Sequence, residues 1–455
     1  MTWLERARRL PLRTVAALAT IGLIAAAVST IHFGESLDYL DVTVLSGPRG
    51  GNYAAVVDRV ARRAASRGGT VRPVTSAGSV DNLRRLAAAA DDCSVDFALA
   101  QAGVPIPDDA GIELIGRLPR TEAVLLIGRD AGSLERFDQL RGLRVGVGPA
   151  GSGTDHLARR LFAAGPLARL DLQLENHALR DQVDRLVAGD LDLGVFVLDE
   201  DAALARDALV SRGLQLAPLA HLDAVARRLP FVTTGRLPAG LYDPIAVVPP
   251  ADVPVMRVDT LLVGNGCASR SAQMALLSVL RDEIPGFVRR NREAPGGGPL
   301  PLSPAAREFY EHDGPGFADR YVPWLVDIMP LGNWVYVAMA VSVLFNAMAG
   351  VHRFRLWRVD AAREKATHPA REAIGRSLTP AEIATMPPTG AHRSAAVREA
   401  VDASIEALDR LRDRARRHRE SMLVPMGQEW IYRYEEEQME LWLAALRAFR
   451  SRLDA

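Results

Sequence analysis

The chain has 455 residues, with 55 basic and 55 acidic side chains and 48% hydrophobic content, room for about two or three compact domains. Balanced charge excludes a general nucleic-acid footprint. Only one lysine is present, Lys365, which excludes a Walker-A, Schiff-base or nucleophilic lysine at any earlier position.

The chain opens with Arg6, Arg8, Arg9 and Arg13, followed by the uncharged apolar run Thr14–Ile31, about the length that crosses a bilayer. The arginines predict a cytoplasmic segment over 1–13, and the apolar run, which continues past its alanines, predicts an uncleaved anchor over 14–31. The small residues Ala25-Ala26-Ala27-Val28 leave a cleaved signal peptide as the rival reading.

Strand-like runs then begin at Asp41 (DVTVL), Thr70 (TVRPV), Val95 (VDFALAQ) and Thr121 (TEAVLLIG). Helical patterns over 53–67 and 80–90 separate the first three. From Leu134 the cycle restarts: a strand over 144–147, a glycine-rich turn, a helix, and a further strand in "LDLGVFVL". Alternating β and α elements predict parallel sheets covered by helices. Two windings predict two lobes, lobe I over 36–135 and lobe II over 136–232, with 233–320 returning to lobe I and leading out of it.

Two turns share one design. The first runs Ser46-Gly47-Pro48-Arg49-Gly50-Gly51-Asn52-Tyr53, the second Gly148-Pro149-Ala150-Gly151-Ser152-Gly153-Thr154. Glycines permit close backbone approach, and a helix start presents unpaired N–H groups to a carboxylate or phosphate. The alternative is that Asn52, Ser152 and Thr154 only cap their helices. Ser79 and Asn82 begin a helix after "TSAG", with the same alternative for Ser79. Gln101 ends a strand on the side where open α/β sheets bind ligands. Arg49 is the natural charge partner for a carboxylate.

Catalytic motifs are missing. No G-x-G-x-x-G, G-x-S-x-G or C-x-x-C occurs at these turns, and His156, His177 and His221 are scattered. The reading is therefore a binding protein, not an enzyme, with no cofactor and no metal. Cys93 and Cys267 either form one disulfide or sit as two small buried apolar groups.

Together, "SGPRGGNY", "TSAGSVDNLRRLAAAADDCSVDFALAQ", "LRGLRVGVGPAGSGT" and "LPFVTTGRLPAGLYD" resemble the TAXI family, the solute receptors of TRAP-type transporters, over roughly 41–284. The resemblance implies a two-lobed periplasmic-binding-protein fold of type II closing on a small organic anion, an amino acid or dicarboxylate, with TRAP membrane subunits as partners at the bacterial inner membrane. It places Gly50, Gly51, Asn52, Tyr53, Ser79, Asn82, Gln101, Ser152, Gly153 and Thr154 in the cleft. The chain departs from the family in Asp91-Asp92-Cys93-Ser94, where a small Gly-acidic turn is usual. It departs again in carrying a second apolar run and a long tail beyond the receptor.

That second uncharged run, 328–351, carries Trp334 and Tyr336 near one end and meets "HRFRLWR" at the other. This predicts an outside-to-inside crossing, a buried core helix being the alternative. The binding domain is then extracytoplasmic and 352–455 a cytoplasmic helical tail. In the tail, Val397, Val401, Ile405, Leu408 and Leu411 form one stripe, and Trp430, Tyr434, Met439, Trp442 and Leu446 another. Partner binding, self-association and a self-packed hairpin all fit. The expected whole is an α/β two-lobed domain flanked by two transmembrane helices, plus an all-α tail. Its function is transport reception, or alternatively ligand sensing or scaffolding through the tail.

Overall fold

A computed structural model describes residues 21–22, 25, 36–107, 111–293, 300–375, 377–419 and 429–454. Apart from Ile21, Gly22 and Ala25, the expected first span lies outside the described residues. The chain divides into two compact units, Thr30–Met329 and a second that includes Pro330–Ala455.

The first unit holds two sheets. Sheet I has the order β2-β1-β3-β12-β4, built from β1 (Asp41–Leu45), β2 (Thr70–Val74), β3 (Phe97–Gln101), β4 (Glu113–Arg117) and β12 (Thr260–Gly264). Its β1, β2 and β3 are parallel, whereas β12 runs antiparallel to both β3 and β4. Helices α1 (Asn52–Ala65) and α2 (Ser79–Ala88) connect the parallel strands. Val56, Val57, Val60 and Ala64 recur at helical spacing and give α1 its buried stripe.

Sheet II repeats the plan. Its order is β10-β11-β5-β8-β6-β7, with the short β9 (Gln215–Leu216) beside β5. The strands are β5 (Glu122–Gly128), β6 (Arg144–Gly146), β7 (Gln173–Glu175), β8 (Leu193–Leu198), β10 (Val232–Leu237) and β11 (Val253–Val258). Helices α3 (Gly153–Phe162) and α4 (Leu179–Ala188) join the parallel β6, β7 and β8. Next to β8 stands β5, antiparallel, as β12 stands next to β3. Two lobes of mixed α/β structure result, the architecture expected of the type II fold. Lobe II is wider than the expected 136–232, because β5 and β11 both belong to its sheet. The apolar run Ala123–Ile127 of β5 reads from sequence as one more parallel strand, and only its pairing reveals the antiparallel insertion.

The chain crosses between lobes through residues 118–121 after β4 and through Asp259 between β11 and β12. The crossings lie side by side: Leu118 N–H donates to the Thr260 carbonyl at 2.9 Å, and Ala102 N–H to that of Asp259 at 2.8 Å. Beyond β12, α5 (Arg270–Glu283) and α6 (Pro304–His312) pack on lobe I.

Cys93 and Cys267 are bonded to each other, tying the turn after α2 to the loop after β12. We expect Cys93→Ser with Cys267→Ser to lower stability by about 2–4 kcal/mol, since the closed loop is long. Denaturant midpoints of the two proteins measure this.

In the second unit, α7 runs unbroken from Trp334 to Ile374, 41 residues. It begins later than the expected 328, which ends a separate short helix, Pro323–Ile328. It also continues well past 351. Among the described residues nothing buries the apolar stretch, with Tyr336 67% and Phe345 65% exposed, and its length and composition are those of a membrane-crossing helix. From Val359 onward α7 packs with α8 (Ala395–Arg419) and α9 (Glu429–Asp454) around Val401, Leu408, Met439, Leu446 and Phe449. Pro369 lies inside α7, and beside it the Ser404 hydroxyl accepts a hydrogen bond from Ala370 N–H at 3.2 Å.

Candidate functional site

The carboxyl ends of the parallel strands in both sheets bear the residues singled out by sequence. In lobe I, α2 starts at Ser79 after Gly78, whose φ of 125° suits glycine. Ser79 does not cap its own helix. Its hydroxyl instead accepts the Gln101 backbone N–H at 3.0 Å, tying α2 to the end of β3. Asn82 donates to the Ser46 carbonyl at 2.5 Å and the Leu99 carbonyl at 2.6 Å, fastening α2 across β1 and β3. Its buried Oδ1 has no hydrogen-bond partner among the described residues. Asn82 thus first serves the fold.

Lobe II contains a counterpart that sequence reasoning missed. Gln182 of α4 accepts from Gly148 N–H at 2.9 Å and donates to the Val195 carbonyl at 3.0 Å. It fastens the second glycine turn to β8 as Asn82 fastens the first turn to β3. An amide at the same place in the second winding was the available signal. Ser152 does cap its helix, accepting from Asp155 N–H at 3.2 Å. Gly153 and Thr154 follow it in the first turn of α3, where N–H groups have no acceptor within the helix.

The two lobes meet at these turns. A Cβ on Gly153 would stand 2.5 Å from Gln101 Oε1 and 2.9 Å from Ser79 Oγ, and one on Gly78 would stand 3.2 Å from Ser152 Cα. Nearby, Arg160 donates to the Gly103 carbonyl at 2.7 Å and lies 4.7 Å from the centre of the Phe231 ring. Ser79, Gln101, Ser152 and Thr154 are all buried. The lobes are therefore shut on one another. Gly50 and Arg49 lie outside this contact: both are exposed, and Arg49 makes no ion pair among the described residues. Gly51 and Asn52 are half-buried at the start of α1.

Tyr53 leads to a residue the sequence did not mark. Its hydroxyl donates to Glu122 Oε2 at 3.0 Å. Glu122 opens β5 beside the crossing and is 6% exposed. Burial pushes its carboxyl up to about 7, against hydrogen bonds from Tyr53 and Thr260 that favour the charged form; Asp199 adds to the rise. Burial likewise raises the Tyr53 hydroxyl, with Glu122 reinforcing it. The signal was an acid heading an otherwise apolar strand, "EAVLLIG". Among the described residues, no three His, Cys, Asp or Glu side chains stand together as metal ligands.

No family model matches the chain. Similar solved structures include the substrate binding protein of an amino acid ABC transporter, 11% identical over 53% of this chain and 92% of that one, TM-score 0.33. The periplasmic aliphatic sulphonate binding protein of Escherichia coli is 11% identical over 60% and 83%, TM-score 0.31. An OxyR2 regulatory domain of Vibrio vulnificus is 15% identical over 53% and 94%, TM-score 0.34. Likenesses this distant bear on neither ligand nor activity.

Two expectations arise from the geometry. Glu122 holds its proton more tightly folded than unfolded, so its contribution to stability is full below about pH 4.5 and is lost as pH rises through about 7. Glu122→Gln should remove that decline, making the variant more stable than wild type at pH 8 by about 2–3 kcal/mol relative to their difference at pH 4. Thermal melts of both proteins across this range test it. Gly153→Val should hold the lobes apart, because its branched side chain meets Gln101 and Ser79 where glycine offers only hydrogen. Faster deuterium exchange at the Gln101 amide is the expected reading; unchanged exchange would refute the closed contact.

Proposed function

We propose that the first unit is a solute receptor that opens and shuts on its two crossings and takes a small organic anion between the turns at Ser79/Gln101 and Ser152–Thr154. The observation that carries this reading is the meeting of those turns. They come from different sheets, each at the carboxyl ends of its strands and each beside a helix N-terminus, where a carboxylate is favoured. The shut arrangement means that solute enters by opening at residues 118–121 and 259.

The ligand class we favour is an amino acid over a dicarboxylate. Glu122, reached through Tyr53, can give up its proton to face an ammonium group, whereas a second carboxylate would meet either a like charge or a group held protonated. No catalytic step is assigned to the cleft. Placement outside the cytoplasm is supported by the Cys93–Cys267 disulfide, and anchoring by the unburied apolar stretch of α7 with Arg353, Arg355 and Arg358 after it. Together with the resemblance to TAXI receptors, these features support reading the chain as an inner-membrane receptor for TRAP-type secondary transport.

A second reading, ligand sensing or scaffolding, is favoured by one observation: α7 passes without a break from its apolar stretch into the tail bundle. Both are tested on the full chain. Calorimetry with amino acids and dicarboxylates should show binding of an amino acid, weakened about tenfold or more in Glu122→Gln. No binding of either class would reject the receptor reading. Solute uptake in cells carrying TRAP subunits should survive deletion of the residues after Arg358. Uptake that persists without the protein altogether would leave sensing in its place.

A further inference from the structure

The apolar stretch of α7 ends at Val351, and the same helix runs on into the tail bundle. Three helices contribute to the end of the bundle that follows it. The Ser404 hydroxyl of α8 accepts Ala370 N–H of α7, and from that bond α7 leads back to Arg355 and α8 leads on to His418, over about 20 Å each. The two arrive at one place. Burial lowers the pKa of His418, and the charges of Arg355, Arg414, Arg417 and Arg358 lower it further. The start of α9 joins them, since Glu436 accepts from Arg419 at 2.8 Å and the Tyr432 ring centre lies 5.5 Å from that of His352.

Arg358, Arg414 and Arg417 are exposed and Arg355 is half-buried; none of the four makes an ion pair among the described residues. The nearby acids meet other bases: Asp360 and Glu435 pair with Arg363, and Glu436 with Arg419. Like charges gathered in this way repel one another until an anion comes between them. Exposed aromatic rings share the same end. Trp357 is 63% exposed, its ring 5.7 Å from that of Phe354 between centres, and Trp430, two residues before Tyr432, is 66% exposed. Amphipathic rings beside arginines, directly after an apolar span, suit the headgroup layer of a bilayer, where such rings lie and arginines meet lipid phosphates.

We propose that this end of the tail bundle is a binding surface for the headgroups of anionic phospholipids and holds the bundle against the bilayer. It rests on the reading of the chain as membrane-anchored, so two measurements are made on the full chain. Flotation with phosphatidylcholine vesicles tests the anchor. Native mass spectrometry from non-ionic detergent, after exposure to an equal mixture of phosphatidylglycerol and phosphatidylcholine, tests the surface. Phosphatidylglycerol should be retained in preference, and the preference should fall about tenfold in the double variant Arg414→Gln with Arg417→Gln. Arg141→Gln with Arg169→Gln, the same change of charge at exposed positions of lobe II, should leave it unchanged. A chain that does not float loses the anchor, and the proposal with it. A chain that floats but shows no preference, or keeps it in the α8 variant, overturns the proposal alone. Equal loss in the lobe II variant would assign the preference to net charge, and paired copies retaining no lipid would assign the surface to a second copy; either result also overturns it.

Discussion

Everything in the first unit depends on the return of the chain to sheet I. Sheet II is built from the single stretch between the crossings, β5 to β11, whereas sheet I receives β12 only after the chain has come back from lobe II. In both sheets one strand lies antiparallel beside the third parallel strand, β12 in sheet I and β5 in sheet II. Each lobe therefore has a complete core, with Leu262 of β12 in one and Val124 of β5 in the other, while only two short extended segments connect them. Short connecting segments bend at small cost where packed layers do not, so the opening that the receptor reading requires falls on residues 118–121 and 259.

The boundary also carries polar chemistry. Glu122 and Thr260 each begin a strand at a crossing, and Tyr53 of lobe I donates to Glu122 of lobe II. Burial at this place pushes the Glu122 carboxyl up to about 7.

Much of this was legible in the sequence, in proportion to how local the cause was. Periodicity marked β1, α1, β2 and α2 nearly to the residue, because alternation and helical stripes are properties of short windows. The apolar stretch of α7 was equally plain. The antiparallel insertion of β5 was not: a run as apolar as Ala123–Ile127 looks the same whichever way its neighbours run. The continuation of α7 through Pro369 was hidden as well, because proline argues against a helix and the compensating hydroxyl, Ser404, lies on another helix. Among the site residues, Ser79 and Asn82 were found by position at a helix start, but their bonds to Gln101 and to Ser46 and Leu99 are tertiary. Glu122 and Gln182 owe their importance to contacts far along the chain, which no short motif records.

The Cys93–Cys267 bond has a consequence of another kind. The two cysteines are 174 positions apart, and every strand of lobe II lies between them. Lobe II is thus a segment of a covalent ring closed within lobe I. A protease that nicks one loop of lobe II opens the ring without releasing a fragment, so the nicked chain keeps its full mass until the bond is reduced. Wherever no reductant is supplied, a single cut leaves both halves tethered and able to reassemble.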